Sequence, residues 1–173
     1  MDLKSCFIQG INNIGNVVVA LDCIDGGNNT GWNFSSSVGV TYYWRASALD
    51  PNDFEGEWSD PNHWTTNFSA LTGTLGGCMP TLADTVIFDQ HSFSATSNGC
   101  NIDNTAFCDV FHCKADVKIT GDELYVGGDF ILHNNMQYYE QRGVIYFIGD
   151  GTNRINLNNT RLENCGVVFN NLN

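Results

Sequence analysis

Short runs of apolar, β-branched or aromatic residues recur along the chain, each closed by Gly, Asn or Asp. Val17-Val18-Val19, Val38 to Trp44 and Thr85-Val86-Ile87-Phe88 are of this kind. Val117 to Ile119, Glu123 to Val126, Asp129 to Leu132, Gly143 to Ile148, Arg154 to Leu157 and Gly166 to Phe169 repeat the pattern. Such runs predict strands, because branched and aromatic side chains suit a pleated surface while Gly and Asn accept turn backbone. From Val117 onward the strand centres fall roughly 6 to 15 residues apart, separated by Gly121-Asp122, Gly127-Gly128, Gly149-Asp150-Gly151 and Asn158-Asn159. This cadence fits a parallel β-helix whose corners are turned by Gly and Asn, or an antiparallel β-sandwich built from hairpins.

Composition sharpens the choice. The 173 residues include 22 Asn and 18 Gly but only 8 Ala and 3 Pro, so helix should be scarce and turns plentiful. Asn tolerates left-handed backbone at corners and can stack in ladders between coils, which favours the solenoid. The expected fold is all-β, parallel β-helix or solenoid-like, with the antiparallel sandwich as the alternative.

The segment from about Asp50 to Gly77 lacks strand alternation. It carries Asp50, Asp53, Glu55, Glu57 and Asp60 beside Phe54, Trp58 and Trp64, and reads as a Trp-rich capping loop beside the β-rich body. An internal echo links the two ends, since Leu3-Lys4-Ser5-Cys6 resembles Leu162-Glu163-Asn164-Cys165. On this reading the chain is one period of a tandem array cut out of phase. Residues 1–36 then close one unit and residues 37–173 supply the opening motif, cap and β-body of the next; a single domain over 1–173 is the alternative.

Charge removes several classes of function. With 19 acidic against 7 basic residues the formal charge is -12, which is the wrong sign for neutralising nucleic-acid phosphate or docking on anionic lipid. No run approaches the roughly 18 apolar residues of a membrane helix, so no membrane insertion is expected. Met1-Asp2-Leu3-Lys4 opens no signal peptide, so an exported protein would carry its signal outside this chain. Seven cysteines with few lysines favour an oxidising compartment, and the odd count leaves one without a partner inside the chain.

Three motifs then stand out: Tyr42-Tyr43-Trp44, Gly56-Glu57-Trp58-Ser59-Asp60-Pro61-Asn62-His63-Trp64, and Pro80-Thr81-Leu82-Ala83-Asp84-Thr85-Val86-Ile87-Phe88-Asp89. Together they resemble the opening of repeats in very large secreted Bacteroidetes surface proteins, including gliding-motility adhesin-like and type IX secreted proteins. A similar opening precedes β-helical passengers in autotransporter adhesins. Asp25-Gly26-Gly27-Asn28-Asn29-Thr30-Gly31-Trp32-Asn33-Phe34 resembles the closing motif of the same repeats, and its position before the opening motif supports the out-of-phase cut. The resemblance implies an extracellular, cell-surface repeat of structural and adhesive role whose partners are neighbouring repeats or copies of itself, and surface glycans. Arg45-Ala46-Ser47-Ala48, in place of a glycine-rich link, and the acidic insert through Glu55 depart from the family pattern.

Each cluster with chemical potential has a structural reading beside the functional one. Trp58 and Trp64, with Asp60 and Asn62 between them, would suit a glycan shelf, or both indoles plug the end of the core. Asp22, Asp25, Asn28 and Asn29 offer hard oxygen ligands for a structural calcium, or they close an Asx-rich turn without an ion. No other cofactor is expected. Asp53, Glu55, Glu57 and Asp60 contain the carboxylates a glycosidase needs, but a charge run is more often a solvated face. A polysaccharide lyase would need clustered basic residues, which the chain lacks. No catalytic residue is assigned, and the expected protein is not an enzyme.

Among the cysteines, Cys108 and Cys113 would close a small disulfide loop, Cys78 would pair with Cys100 around the strand at Val86, and Cys6 with Cys23. Cys165, as the counterpart of Cys6, would find its partner outside the chain. Zinc at Cys108 and Cys113 is the poorer reading, because paired C-x-x-C spacing is absent. Asp84-Thr85-Val86 matches the short acceptor pattern of Bacteroidetes O-glycosylation at Thr85.

Overall fold

Alternation within each short strand sets the fold. Val144 to Phe147 runs half-buried, buried, half-buried, buried, so Ile145 and Phe147 face inward while Val144 and Tyr146 face out. A strand this short cannot bury its apolar face alone. Stacking it on equivalent strands of the coils before and after makes the interior continuous. The structure is a computed structural model describing residues 2–4, 7–21, 23–25, 27–35, 38–94, 99–134, 139–140, 143–149 and 152–170.

The first strands are β1 (Asp2–Lys4), β2 (Phe7–Ile8), β3 (Val18–Leu21), β4 (Ile24–Asp25) and β5 (Trp32–Ser35). They form two parallel sheets, β1-β3-β5 and β2-β4, which share no strand with those that follow. Next come β6 (Thr41–Trp44), β7 (Gly56–Glu57), a 3-10 turn at Pro61–His63 and β8 (Trp64–Thr65).

A succession of three-sided coils follows. β9 (Thr85–Phe88), β10 (Gly99–Ile102) and β11 (Ala106–Cys108) make one coil, and β12 (Val110–Cys113), β13 (Lys118–Gly121) and β14 (Leu124–Val126) the next. β15 (Phe130–Ile131), β16 (Tyr139–Glu140) and β17 (Val144–Phe147) continue the stack, and β18 (Ile155–Asn156), β19 (Leu162–Glu163) and β20 (Gly166–Phe169) end it. Equivalent strands of these coils pair in parallel at intervals of 18 to 25 residues, as in Ala106↔Leu124 and Phe111↔Val86. The chain is therefore an all-β parallel solenoid. The antiparallel sandwich is excluded by the pairings, since the one antiparallel pair among the described strands is β6 with β8.

Parallel register stacks like on like. Ala106, Leu124, Ile145 and Val167 form one interior column, and Cys108, Val126, Phe147 and Phe169 another. Val86, Phe111, Phe130 and Ile155 form a third. Phe111 and Phe130 stack with centroids 5.1 Å apart, and Phe88 lies 5.5 Å from Phe111. Each fully buried side chain of this size stabilises the fold by about 1.5–3 kcal/mol.

Asparagine turns the corners and ties coils together. Asn158 and Asn159 adopt φ of 47° and 66°, and the Asn158 amide donates to the Leu132 carbonyl one coil earlier at 2.6 Å. Asn153 donates to the Gly127 carbonyl at 2.5 Å and Asn13 to the Gly31 carbonyl at 2.8 Å. A short amide side chain thus satisfies a carbonyl that a corner would leave unpaired. Among the described residues no helix is long and apolar enough to cross a membrane.

The run from Cys108 to Cys113 conceals a corner and a strand. Cys108 ends β11, Asp109 turns the corner, and Cys113 ends β12 on the next face, with both thiols buried. The predicted Cys108–Cys113 disulfide is absent, because the two cysteines belong to different faces of the coil. The predicted Cys78–Cys100 pair is also absent: Cys78 is exposed and Cys100 buried, and Cys78, Cys100, Cys108, Cys113 and Cys165 are free thiols. Cys6, and with it the Cys6–Cys23 pairing, lies outside the described residues.

Candidate functional site

The two ends of the coil stack differ, and that difference organises every candidate site. At the upstream end the segment predicted to be a cap is one. Gly56–Glu57 adds a parallel strand beside Cys100–Asn101, and the Trp58 amide donates to the Asn101 carbonyl at 2.7 Å. Ser59 fixes the next turn, donating from its backbone and hydroxyl to the two oxygens of Asp103 at 3.0 and 2.5 Å. Asp60 then caps the short 3-10 turn, its Oδ1 accepting from the Asn62 amide N–H and side chain at 2.9 and 2.7 Å.

This geometry drives the indoles inward. Trp58 is 3% exposed and Trp64 0%. Trp64 meets Trp44 and Trp58 edge to face at 5.0 and 4.9 Å, and its Nε1 donates to the Trp58 carbonyl at 2.9 Å. Of the predicted glycan shelf of Trp58, Asp60, Asn62 and Trp64, neither indole has a face open to a sugar ring, and Asp60 and Asn62 bond each other. His63 of the same motif lies flat on Trp44, with centroids 4.4 Å apart and planes 2° apart. Its Nδ1 is 2.8 Å from the Arg45 carbonyl, which can only accept, so Nδ1 carries the hydrogen.

Arg45, just after β6, anchors the rest of the cap. Its buried guanidinium forms a two-armed pair with Asp89 at 2.9 and 3.1 Å. It also donates to the carbonyls of Trp44, Ala70 and Phe68 and to the Ser92 hydroxyl. Every arm of the fork is used.

The remaining predicted positions have structural partners. Asp25 Oδ1 accepts from the Gly27 amide at 2.9 Å and the Asn29 side chain at 2.6 Å, while Asn29 also donates to the Ile8 carbonyl and accepts from the Ile11 amide. Asn28 supplies left-handed backbone at φ 57°. The turn is closed by its own hydrogen bonds; Asp22 lies outside the described residues. Among the described residues no group of three or more His, Cys, Asp or Glu gathers as a metal site. Asp53, Glu55 and Glu57 are exposed. Asp84 is spent on the corner, accepting from the amides of Val40 and Thr81 and the Thr81 hydroxyl. Thr85 is half-buried in a strand paired on both sides.

Sequence inspection misses an aromatic stripe on the outside of the solenoid. Phe107, Tyr125 and Tyr146 stack in register, with centroids 5.4 and 4.4 Å apart. Glu123 accepts from both tyrosine hydroxyls at 3.4 and 3.3 Å. Burial first, and the Glu123 carboxylate second, push the Tyr125 phenol up to about 12. Spacing is the available signal, since outward residues of successive coils recur at the coil interval. Two grooves on the outer faces, of about 180 and 200 Å³, are smaller than the ~300–1,000 Å³ of small-molecule pockets.

Among the described residues the downstream end has no plug. β18, β19 and β20 are each the outermost strand of their sheet. The interior columns that are buried at Ile145 and Phe147 emerge at Val167, 39% exposed, and Phe169, 69% exposed. Ile155 is 40% exposed above fully buried Phe130. Among the described residues the last coil thus leaves apolar positions of the interior columns partly exposed. No family model, curated protein or solved structure matches this chain.

Proposed function

We propose that this chain is a structural and adhesive unit of a long extracellular cell-surface protein or filament, in which coils stack end to end with neighbouring repeats or copies. The observation that carries the reading is the parallel, in-register stacking of equivalent short strands from coil to coil, as in the column Ala106, Leu124, Ile145 and Val167, behind a cap of buried Trp44, Trp58 and Trp64. Such a stack lengthens coil by coil, each coil burying its apolar face against the one before, which is the build of an extended repeat protein. The acidic surface, with net charge -12, keeps such a fibre solvated. The resemblance of the Tyr42–Trp44, Gly56–Trp64 and Pro80–Asp89 motifs to repeats of type IX secreted, gliding-motility adhesin-like proteins supports the cell-surface placement and makes Thr85 a candidate acceptor for O-glycosylation.

Protease shaving of intact cells, followed by peptide mapping, tests this reading. Release of peptides from this chain without lysis is the expected result, and full protection that ends only on lysis overturns it. A second reading, a glycan-binding face, draws on the outward Tyr125–Tyr146 stack and the Glu123 carboxylate beside it. A glycan array on which Tyr146→Ala loses the hits of the parent chain would support it, and an array without hits would remove it.

A further inference from the structure

β14 and β17 pair in parallel with Tyr125 opposite Tyr146, so the two side chains leave the sheet in the same direction. Their rings lie 9° from parallel with centroids 4.4 Å apart. Both hydroxyls donate to Glu123, Tyr125 to Oε2 at 3.4 Å and Tyr146 to Oε1 at 3.3 Å, which gathers the two phenol ends on one side. In two like-directed, near-parallel rings each carbon faces its counterpart at close to the centroid spacing. The ortho carbons, next to the hydroxyl-bearing carbons, are therefore brought together by the fold before any reaction begins.

Among the described residues the stack leaves Tyr125 one phenol partner. Phe107, 5.4 Å from Tyr125 on its other side, has no hydroxyl, and Val168 stands opposite Tyr146 in the following coil. Tyr125 and Tyr146 are both half-buried, so an oxidant reaches the edge of the pair. Phe107 covers the other face of Tyr125, and an oxidised Tyr125 meets Tyr146 before the phenol of any second molecule. A neutral phenol gives up an electron readily only when its proton leaves as well, and a hydrogen-bonded carboxylate is a positioned acceptor for that proton. Burial first, and Glu123 second, keep the Tyr125 phenol protonated up to about 12, so the phenol and not the phenolate is the species present at neutral pH.

We infer that Tyr125 and Tyr146 are a site of oxidative cross-linking, joined as an intramolecular dityrosine by a haem-type peroxidase acting with hydrogen peroxide, with Glu123 as proton acceptor. The peroxidase removes one electron from each phenol, and each phenolic proton passes through Glu123 to water. The two radicals couple through their ortho carbons. One carbon–carbon bond forms, each ortho hydrogen moves to the oxygen of its own ring as aromaticity returns, and both hydroxyls are restored. The protein loses two hydrogen atoms in all, and one hydrogen peroxide is reduced to two waters. The product ties successive coils covalently, which the free thiols of Cys78, Cys100, Cys108, Cys113 and Cys165 do not.

The test is treatment of native chain 1–173 with a haem peroxidase and hydrogen peroxide, read by dityrosine fluorescence, intact mass and peptide mapping. A product of single-chain mass, lighter by two hydrogens and with the Tyr125 and Tyr146 peptides joined, is expected. Tyr146→Phe, which keeps a stacked ring without its hydroxyl, should abolish the link. Glu123→Gln should slow formation of the link about tenfold or more, with the far-ultraviolet circular dichroism of the parent. Absence of dityrosine, dityrosine formed only between molecules or at other tyrosines, or a link that forms as fast in Glu123→Gln overturns the inference. A chain protected from shaving that still forms the link removes the cell-surface reading alone, whereas a shaved chain that forms none removes the cross-link alone.

Discussion

Arg45 and Asp89 are joined by two hydrogen bonds, of 2.9 and 3.1 Å, inside a shell of carbonyls contributed by Trp44, Phe68 and Ala70. The pair holds three stretches of chain: strand β6, the return loop of the cap and the end of β9. Its removal leaves an uncompensated buried charge. Asp89→Ala is expected to destabilise the fold by about 3–5 kcal/mol. Arg45→Lys should recover little, because an ammonium cannot reproduce the fork. Urea unfolding followed by Trp fluorescence measures both.

The tryptophan plug makes a prediction that separates structure from recognition. Trp58→Ala opens a cavity beside Trp64 and Phe88, from which Trp58 lies 4.9 and 6.4 Å, and should cost about 3–5 kcal/mol. Trp58→Phe should cost far less. Equal melting temperatures for Trp58→Ala and the parent would mean that the cap does not close the core.

The buried thiols make stability depend on alkaline pH. Burial pushes Cys113 up to about 12, and Cys100 and Cys108 are raised as well, again chiefly by burial. Unfolded cysteine titrates at about 8.5–9. Between those values the unfolded chain sheds protons that the native chain keeps, so this stability is fully present below about pH 9 and is lost as pH rises towards 12. The urea midpoint should fall between about pH 8 and pH 11, less steeply in Cys113→Val. A midpoint independent of pH over this range contradicts the assignment.

Those thiols also predict a labelling pattern. Iodoacetamide at about pH 8 should modify exposed Cys78 first, and Cys100, Cys108 and Cys113 only after denaturation. Non-reducing peptide mapping that recovered a Cys108–Cys113 or Cys78–Cys100 linkage would contradict the coil geometry.

Coil spacing at Gly143 is tested by a single methyl group. A Cβ there would overlap the backbone carbonyl of Asp122 in the preceding coil. Gly143→Ala should therefore destabilise by about 1–3 kcal/mol through overpacking. Gly76→Ala, with open space around it but φ of 63°, separates this steric effect from backbone strain alone. Thermal unfolding of the two variants side by side provides the comparison.

Strand character, corners and cap follow from the residues alone. Branched and aromatic runs closed by Gly and Asn can satisfy their backbone in few other ways, and 22 Asn supply corners that tolerate left-handed backbone, as Asn158 and Asn159 do. Tyr42–Trp44 and Gly56–Trp64 are legible because large aromatics in an irregular acidic loop need a core to enter. Strands of two or three residues such as β11 are not, since so short a run has no periodicity of its own and is strand only because a neighbouring coil supplies its hydrogen bonds. Which cysteines can meet is settled only by the stacked fold. Cys108 and Cys113 are close along the chain, yet the corner at Asp109 sends them to different faces. Stacking also turned Trp58 and Trp64 inward, aligned Tyr125 with Tyr146, and left Val167 and Phe169 uncovered. Each depends on bringing together residues distant in sequence, 18 to 25 apart along the coils and about 44 apart where the cap meets β10, intervals set by corner and loop lengths that no local pattern records.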